Sequence, residues 1–147
     1  MQMHSLFHDS VANWFSDRFG EPTLVQSHSW PIIAAGKHIL ATAPTGSGKT
    51  LTAFLSALSH FASGEYPSGR TQVLYISPLK ALNNDIQRNL FDPLQELETM
   101  YGYPRIRVGT RSGDTSPGDR QRLLRNPPEI LITTPESLSL MLTTVKG

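Results

Sequence analysis

The 147-residue chain contains no cysteine. That excludes a disulfide framework and thiolate metal sites, and it removes any argument for an oxidising compartment. No apolar run approaches the roughly 20 residues that a membrane-spanning helix requires, so no membrane partner is expected. Neither sign of charge is in excess: 13 Lys+Arg against 12 Asp+Glu leave a formal net charge of +1, a balance that neither demands nor excludes a nucleic-acid partner. The first ten residues, MQMHSLFHDS, lack the basic-then-apolar order of a secretory signal, and a cytoplasmic protein is the expectation. Internal repeats, low-complexity segments and linkers are missing too. The remainder is an ordinary globular composition, 38% hydrophobic and 17% charged, in a chain long enough to bury the core of one compact domain.

Short apolar runs at His38–Thr42, Gln72–Ser77, Arg105–Gly109 and Glu129–Thr133 predict four strands. VLYIS and EILIT are nearly continuous in apolar or β-branched residues, the pattern of strands buried on both faces. Helical periodicity fills the intervals. Leu51, Phe54, Leu55, Leu58 and Phe61 form one stripe, and Leu79, Leu82, Ile86 and Leu90 a second. Ser116-Pro117 and Thr134-Pro135 each offer an N-cap followed by proline at the first helical position, the latter with Leu138, Met141, Leu142 and Val145 as its apolar face. Upstream, Phe7, Val11, Trp14 and Phe15 share a helix face that Gly20 should end, and a further helix begins near Thr23. Pro31 is expected to break or kink it, and Gly36 to close it. Strand–helix alternation of this kind implies an α/β fold, with right-handed crossovers around a parallel sheet.

Between the first expected strand and the first long helix lies APTGSGKT, Ala43–Thr50. It differs from the strict phosphate-loop pattern G-x-x-x-x-G-K-[ST] only by alanine in the first position. Gly46 and Gly48 allow backbone N–H groups, including those of Thr45 and Ser47, to turn inward around phosphate oxygens, and the N-terminus of the next helix adds its dipole. Lys49 is placed to reach the outer phosphates of a nucleotide, and the Thr50 hydroxyl to complete the shell of a Mg²⁺ ion. A flexible Gly-Ser turn ahead of a helix is the structural alternative. The acidic residue that hydrolysis needs at the end of a later strand is absent: ISPLK, VGTRS and LITTPES contain no Asp-Glu pair, and Glu136 follows Thr134-Pro135 at a helix start, where it favours the dipole. Residues 105–125 hold six arginines against two aspartates, a basic tract in a near-neutral chain. Arg120, Arg122 and Arg125 read as the solvated face of a short helix. His4 and His8 have helical spacing, but no supporting metal ligands accompany them.

PTLVQ (Pro22–Gln26), APTGSGKT, SPLKALNND (Ser77–Asp85), TRSGDT (Thr110–Thr115) and ITTPESL (Ile132–Leu138) occur in the order of the superfamily 2 helicase motifs Q, I, Ia, the Gly-Asp motif and Ib. The chain therefore resembles that superfamily over nearly its whole length, and within it the large helicase-related group of DNA helicases more than the DEAD-box RNA helicases. The alanine at position 43 is itself the superfamily 2 form of the loop. The resemblance implies a P-loop NTPase, a RecA-like parallel sheet flanked by helices, incomplete at its C-terminal side. Residues 1–36 would carry the N-terminal helices with the Q motif, and residues 37–147 a partial RecA-like ATP-binding domain. ATP and Mg²⁺ are the implied cofactors, and single-stranded DNA, or alternatively RNA, the implied partner. The group's Asp-Glu-x-His box and second RecA-like domain do not occur in these residues, so an N-terminal fragment is expected, one that does not hydrolyse ATP by itself.

The resemblance also assigns individual residues. Gln26 looks like the adenine reader, since a carboxamide can donate to N7 and accept from the exocyclic amine at once. Thr23-x-x-Gln26 is equally a capping box. Phe19 or Phe15 is the candidate for stacking on the base. Pro78, Leu79 and Lys80, with Thr134, Pro135 and Ser137, would hold successive phosphates of one strand through helix N-termini and hydroxyls, and Arg111 would touch that strand. N-capping is the plain alternative for Thr134 and Ser137, and a solvated side chain for Lys80. The functional expectation is the first motor lobe of an ATP-dependent DNA helicase or translocase. Its rivals are a non-hydrolysing ATP- and DNA-binding module, a DEAD-box-like RNA helicase lobe and, least well matched, a small-molecule kinase.

Overall fold

The computed structural model describes residues 2–44, 46–78 and 83–143, so expectations for Thr45, Leu79, Lys80, Leu82 and Val145 lie outside the described residues. Two compact units emerge, one from Met1–Glu65 with Asp85–Pro104, the other from Tyr66–Asn84 with Arg105–Gly147.

The first unit is helical. A single turn, α1 (Met3–Leu6), precedes α2 (Asp9–Phe19), which Gly20 ends at φ 78°. Helix α3 (Leu24–Ala34) follows, then the long α4 (Lys49–Ala62). All five residues of the stripe expected in α4 are buried, as are Val11, Trp14 and Phe15 of α2. Trp30 of α3 stands edge-on to both Phe7 and Phe15 and donates its indole N–H to the Thr52 carbonyl at 3.1 Å, so an aromatic cluster locks α2 and α3 onto α4. Of the two outcomes expected at Pro31, the break does not occur: α3 runs on to Ala34. Pro31 itself is exposed, while the adjacent Trp30 is buried and anchors the helix.

A second helical run begins with α5 (Asn83–Ile86), widens into a π-helical segment (Gln87–Phe91) and returns to α6 (Asp92–Met100). Ile86, Leu90, Leu94 and Leu97 are buried along it. Tyr103 beyond it donates its phenol to the Leu58 carbonyl at 2.7 Å, and burial pushes that phenol above its ordinary pKa.

The second unit is built on three parallel strands in the order β1–β3–β2. They are β1 (Val73–Ile76), β2 (Val108–Arg111) and β3 (Ile130–Thr133). The central β3 is buried almost throughout, as EILIT predicts. VLYIS departs from expectation: Leu74 and Ile76 share one face of the edge strand β1 and that face is exposed, whereas Val73 and Tyr75 on the other face are partly covered. The third expected strand lies three residues later than the apolar run, because pairing with β3 sets its register: Val108 lies opposite Ile130 and Arg111 opposite Thr133. Gly109 must remain glycine there, since a Cβ would come within 2.7 Å of both Leu123 and Pro128.

The expected strand at 38–42 is absent. The segment is irregular, Leu40 is 88% exposed, and none of the described strands pairs with it. An apolar run becomes a strand only where a neighbouring strand accepts its hydrogen bonds. Helices α7 (Pro117–Arg125) and α8 (Pro135–Thr143) complete the unit. Both proline-led starts are realised, with Ser116 and Thr134 accepting from the backbone N–H groups of Asp119 and Ser137. On α8 only Met141 of the expected apolar face is buried outright, while Leu142 is 77% exposed. Among the described residues no helix is long and apolar enough to cross a membrane.

Candidate functional site

The helical unit holds the glycine loop. Gly46 and Gly48 take φ values of 85° and 82°, the left-handed region that side-chain-bearing residues avoid. Gly48 then N-caps α4, so Lys49 and Thr50 are its first two helical residues and Lys49 is exposed. The free N–H groups of a helix start and an exposed lysine are the elements of an anion cradle.

Residues upstream clasp the loop. The capping box of α3 is formed: Thr23 Oγ1 accepts from the Gln26 N–H, and Gln26 Oε1 accepts from the Thr23 N–H at 2.9 Å. The same two side chains reach onward. Thr23 Oγ1 donates to the Ser47 carbonyl at 2.7 Å, and Gln26 Nε2 donates to the Gly48 carbonyl at 3.3 Å. Gln26 is 3% exposed, and a Cβ on Gly48 would stand 2.3 Å from its Nε2. The capping alternative for Gln26 is thus what the structure contains, with the added feature that the box is tied to the loop. One N–H and one lone pair of the carboxamide remain uncommitted by these bonds. Of the two aromatic candidates for base stacking, Phe15 is buried inside the cluster with Trp30, whereas Phe19 is 51% exposed.

Thr50 directs its hydroxyl sideways, donating to Asp85 Oδ2 at 2.7 Å, and Asn89 Nδ2 donates to Asp85 Oδ1 at 3.0 Å. Asp85 and Asn89 are not singled out by the sequence reading. Asp85 is the last residue of SPLKALNND and Asn89 follows four positions on, but neither fact points to a residue 35 positions earlier. The Thr50 hydroxyl with a carboxylate beside it is a hard-oxygen environment of the kind Mg²⁺ prefers. Among the described residues no group of three or more His, Cys, Asp or Glu could hold a metal by itself. The donor set at Thr50 and Asp85 is all oxygen, which is the ligand chemistry Mg²⁺ takes.

In the strand unit several of the described residues expected to meet nucleic acid follow the carboxyl ends of the strands. Ile76, Thr133 and Arg111 are in register at the carboxyl ends of β1, β3 and β2. Ser77 N–H donates to the Thr133 carbonyl at 3.0 Å, and Thr133 Oγ1 donates to the Arg111 carbonyl at 2.7 Å. Pro78, Arg111 and Thr134-Pro135 therefore leave the sheet on the same side, where ligands of open α/β sheets bind. The hydroxyls of Thr134 and Ser137 are another matter. Both residues are buried and Thr134 serves as the α8 cap, so the N-capping alternative describes Thr134. Arg120 also departs from expectation: it is half-buried and donates to the carbonyls of Ser112 and Gly113, bracing the TRSGDT loop, while Arg122 pairs with Asp119 in solvent as a helix-face arginine should. At the opposite, amino end of β3, Glu129 is buried and accepts from the Arg107 backbone and guanidinium, the latter at 3.0 Å.

Comparison with known proteins was made against this geometry. A family model described as DEAD/DEAH box helicase matches residues 23–146. A protein of Mycolicibacterium smegmatis described as Lhr helicase/probable uracil glycosylase is 52% identical over 136 residues, covering 88% of this chain and 9% of that protein. The ATP-dependent helicase Lhr-Core of Sulfolobus acidocaldarius is 45% identical over 146 residues, covering 97% of this chain and 17% of the relative. The solved structure of the Mycobacterium smegmatis helicase Lhr bound to ssDNA and AMP-PNP superposes with a TM-score of 0.86 at 46% identity, covering 99% of this chain and 19% of that one. This chain spans less than a fifth of the length of each of the three.

Proposed function

The chain belongs to the DEAD/DEAH box helicase family, and from that premise we propose that it is the ATP-binding, single-stranded-nucleic-acid-binding first motor lobe of an ATP-dependent DNA helicase or translocase. The observation that carries the reading is the clasp of Thr23 and Gln26 on the carbonyls of Ser47 and Gly48. It fixes a left-handed glycine at the start of α4, where the exposed Lys49 stands beside the first N–H groups of the helix. In this reading residues 1–36 supply the Q motif and residues 37–147 the partial motor fold. Thr45, Gly46, Ser47 and Gly48 surround the phosphates with backbone donors, and Lys49 neutralises the outer ones. Gln26 offers adenine the N–H and lone pair that its capping bonds leave over. Thr50 presents its hydroxyl to Mg²⁺. The ion would be held by the Thr50 hydroxyl and would supply positive charge to the phosphates of the nucleotide.

Pro78, Leu79 and Lys80, with Thr134, Pro135, Ser137 and Arg111, would follow the phosphates of one strand without reading its bases. The relatives are several times longer, which accords with a second RecA-like lobe that closes on this one when ATP binds. The Mycobacterium smegmatis helicase, whose structure contains both ssDNA and AMP-PNP, supports assigning both ligands to the matching lobe here.

Titration of the chain with a fluorescent non-hydrolysable ATP analogue tests the reading. Binding is expected, weakened roughly 10- to 100-fold by Lys49→Ala, the equivalent of losing one charge-assisted hydrogen bond of about 1.5–3 kcal/mol. Phosphate release is expected to be absent with or without oligo(dT). Turnover that DNA stimulates and Lys49→Ala abolishes would overturn the view that these residues bind without hydrolysing.

A further inference from the structure

We propose that Asp85 is a positioning residue for the divalent cation of the nucleotide site, acting through the Thr50 hydroxyl; the proposal rests on the nucleotide-site reading above. Two threonines in the first turn of α4 behave differently. Thr52 turns its hydroxyl back onto the Gly48 carbonyl at 2.6 Å, the usual fate of a helical threonine. Thr50 instead gives its hydrogen to Asp85 Oδ2 at 2.7 Å, across 35 residues of sequence. A hydroxyl has one hydrogen and two lone pairs. With the hydrogen committed to a carboxylate, the lone pairs of Thr50 Oγ1 are left for a cation, and the polarised oxygen is a better ligand. Metal sites orient ligands by this kind of second hydrogen bond.

The carboxylate is itself held. Asn89 Nδ2 donates to Asp85 Oδ1 at 3.0 Å and to the Asp85 carbonyl at 2.9 Å, so one oxygen is fixed by Asn89 and the other faces Thr50. Asn89 lies in the π-helical segment, a feature that recurs at functional positions. The charge of Asp85 adds a directional effect. It attracts a cation near Thr50 and repels polyphosphate that arrives without one. A bond that merely stapled α4 to the next helical run would have neither property.

The test is the affinity of the 147-residue chain for a fluorescent non-hydrolysable ATP analogue, in excess MgCl₂ and in EDTA, with a melting curve for each variant. The ratio of the two dissociation constants reports the cation's contribution alone. Asp85→Ala is expected to lower that ratio about tenfold, the lower end of what loss of an outer partner costs a metal site, with affinity in EDTA unchanged or improved. Asn89→Ala should lower it by a smaller factor, and Asp85→Ala added to Thr50→Ala should change it no further. Asp85→Asn keeps the shape and an acceptor oxygen, so it carries the test should the alanine variant fail to fold, and it too should lower the ratio. An unchanged ratio in the Asp85 variants overturns the proposal and leaves the nucleotide site standing. Equal weakening in MgCl₂ and EDTA, together with a lowered Tm, assigns the contact to structure and overturns it as well. A wild-type chain that binds no analogue in either buffer removes the nucleotide-site reading, and this inference with it.

Discussion

The two units reach stability by different routes. The helical unit closes around Trp14, Phe15, Trp30, Phe54, Leu55 and Leu58, all fully buried, and its aromatic rings meet edge-on. The strand unit has a thin interior: Ile130 and Ile132 of one central strand, Met141, and a buried carboxylate, Glu129. Around these, Leu74, Ile76, Leu124, Leu140 and Leu142 stay exposed. Helices satisfy their own backbone and need only one apolar stripe covered, whereas a three-stranded sheet needs both faces and both edges provided for. The unit holding the glycine loop therefore has a self-sufficient core, and the unit presenting the sheet edge leans on polar bonds.

Substitutions can break or sharpen that contrast. The largest effect is expected at Trp30→Ala, which removes the centre of the aromatic cluster and the bond to Thr52; a loss of about 3–5 kcal/mol in urea unfolding is the expectation, and a loss below 1 kcal/mol would show that the helical core is not organised around this ring. Next comes Glu129→Ala. It removes the carboxylate partner of the Arg107 guanidinium, but Arg107 keeps its bond to the Pro127 carbonyl and is nearly half exposed, so a loss of roughly 2 kcal/mol is expected, below the range for fully buried pairs. Denaturant melts of the variant beside Glu129→Gln would separate charge from shape. Smallest of all, Leu142→Ser should change stability by less than about 0.5 kcal/mol, because its side chain is already in water. A stabilisation or loss well beyond that would mean that the exposed face of α8 is covered in solution.

Much of the helical unit could be read from the chain. The α4 stripe, the Gly20 stop and the cap at Thr23 all depend on residues a few positions apart, and all appear, as does the Ser116 cap in the strand unit. Gly46 and Gly48 also take left-handed conformations ahead of α4, as glycines in a tight turn can. Elsewhere, local rules were overridden. Pro31 signals a break, yet α3 passes through it because Trp30 holds the helix. The run at 38–42 has strand composition and no strand, and RIRVG was displaced by three residues to meet β3.

By itself, then, the sequence determined where helices start and stop, which stripes they bury, and which loop has the glycines and lysine of a phosphate cradle. Those features follow from backbone conformations and periodicities that act within one or two turns. Tertiary structure alone decided which apolar runs become strands, which edge gathers Pro78, Arg111 and Thr134, and that Thr50 meets Asp85 rather than its own helix backbone. Pairing, and hydrogen bonds between distant side chains, depend on which partner the fold brings within 3 Å or so, and no short-range pattern encodes that distance.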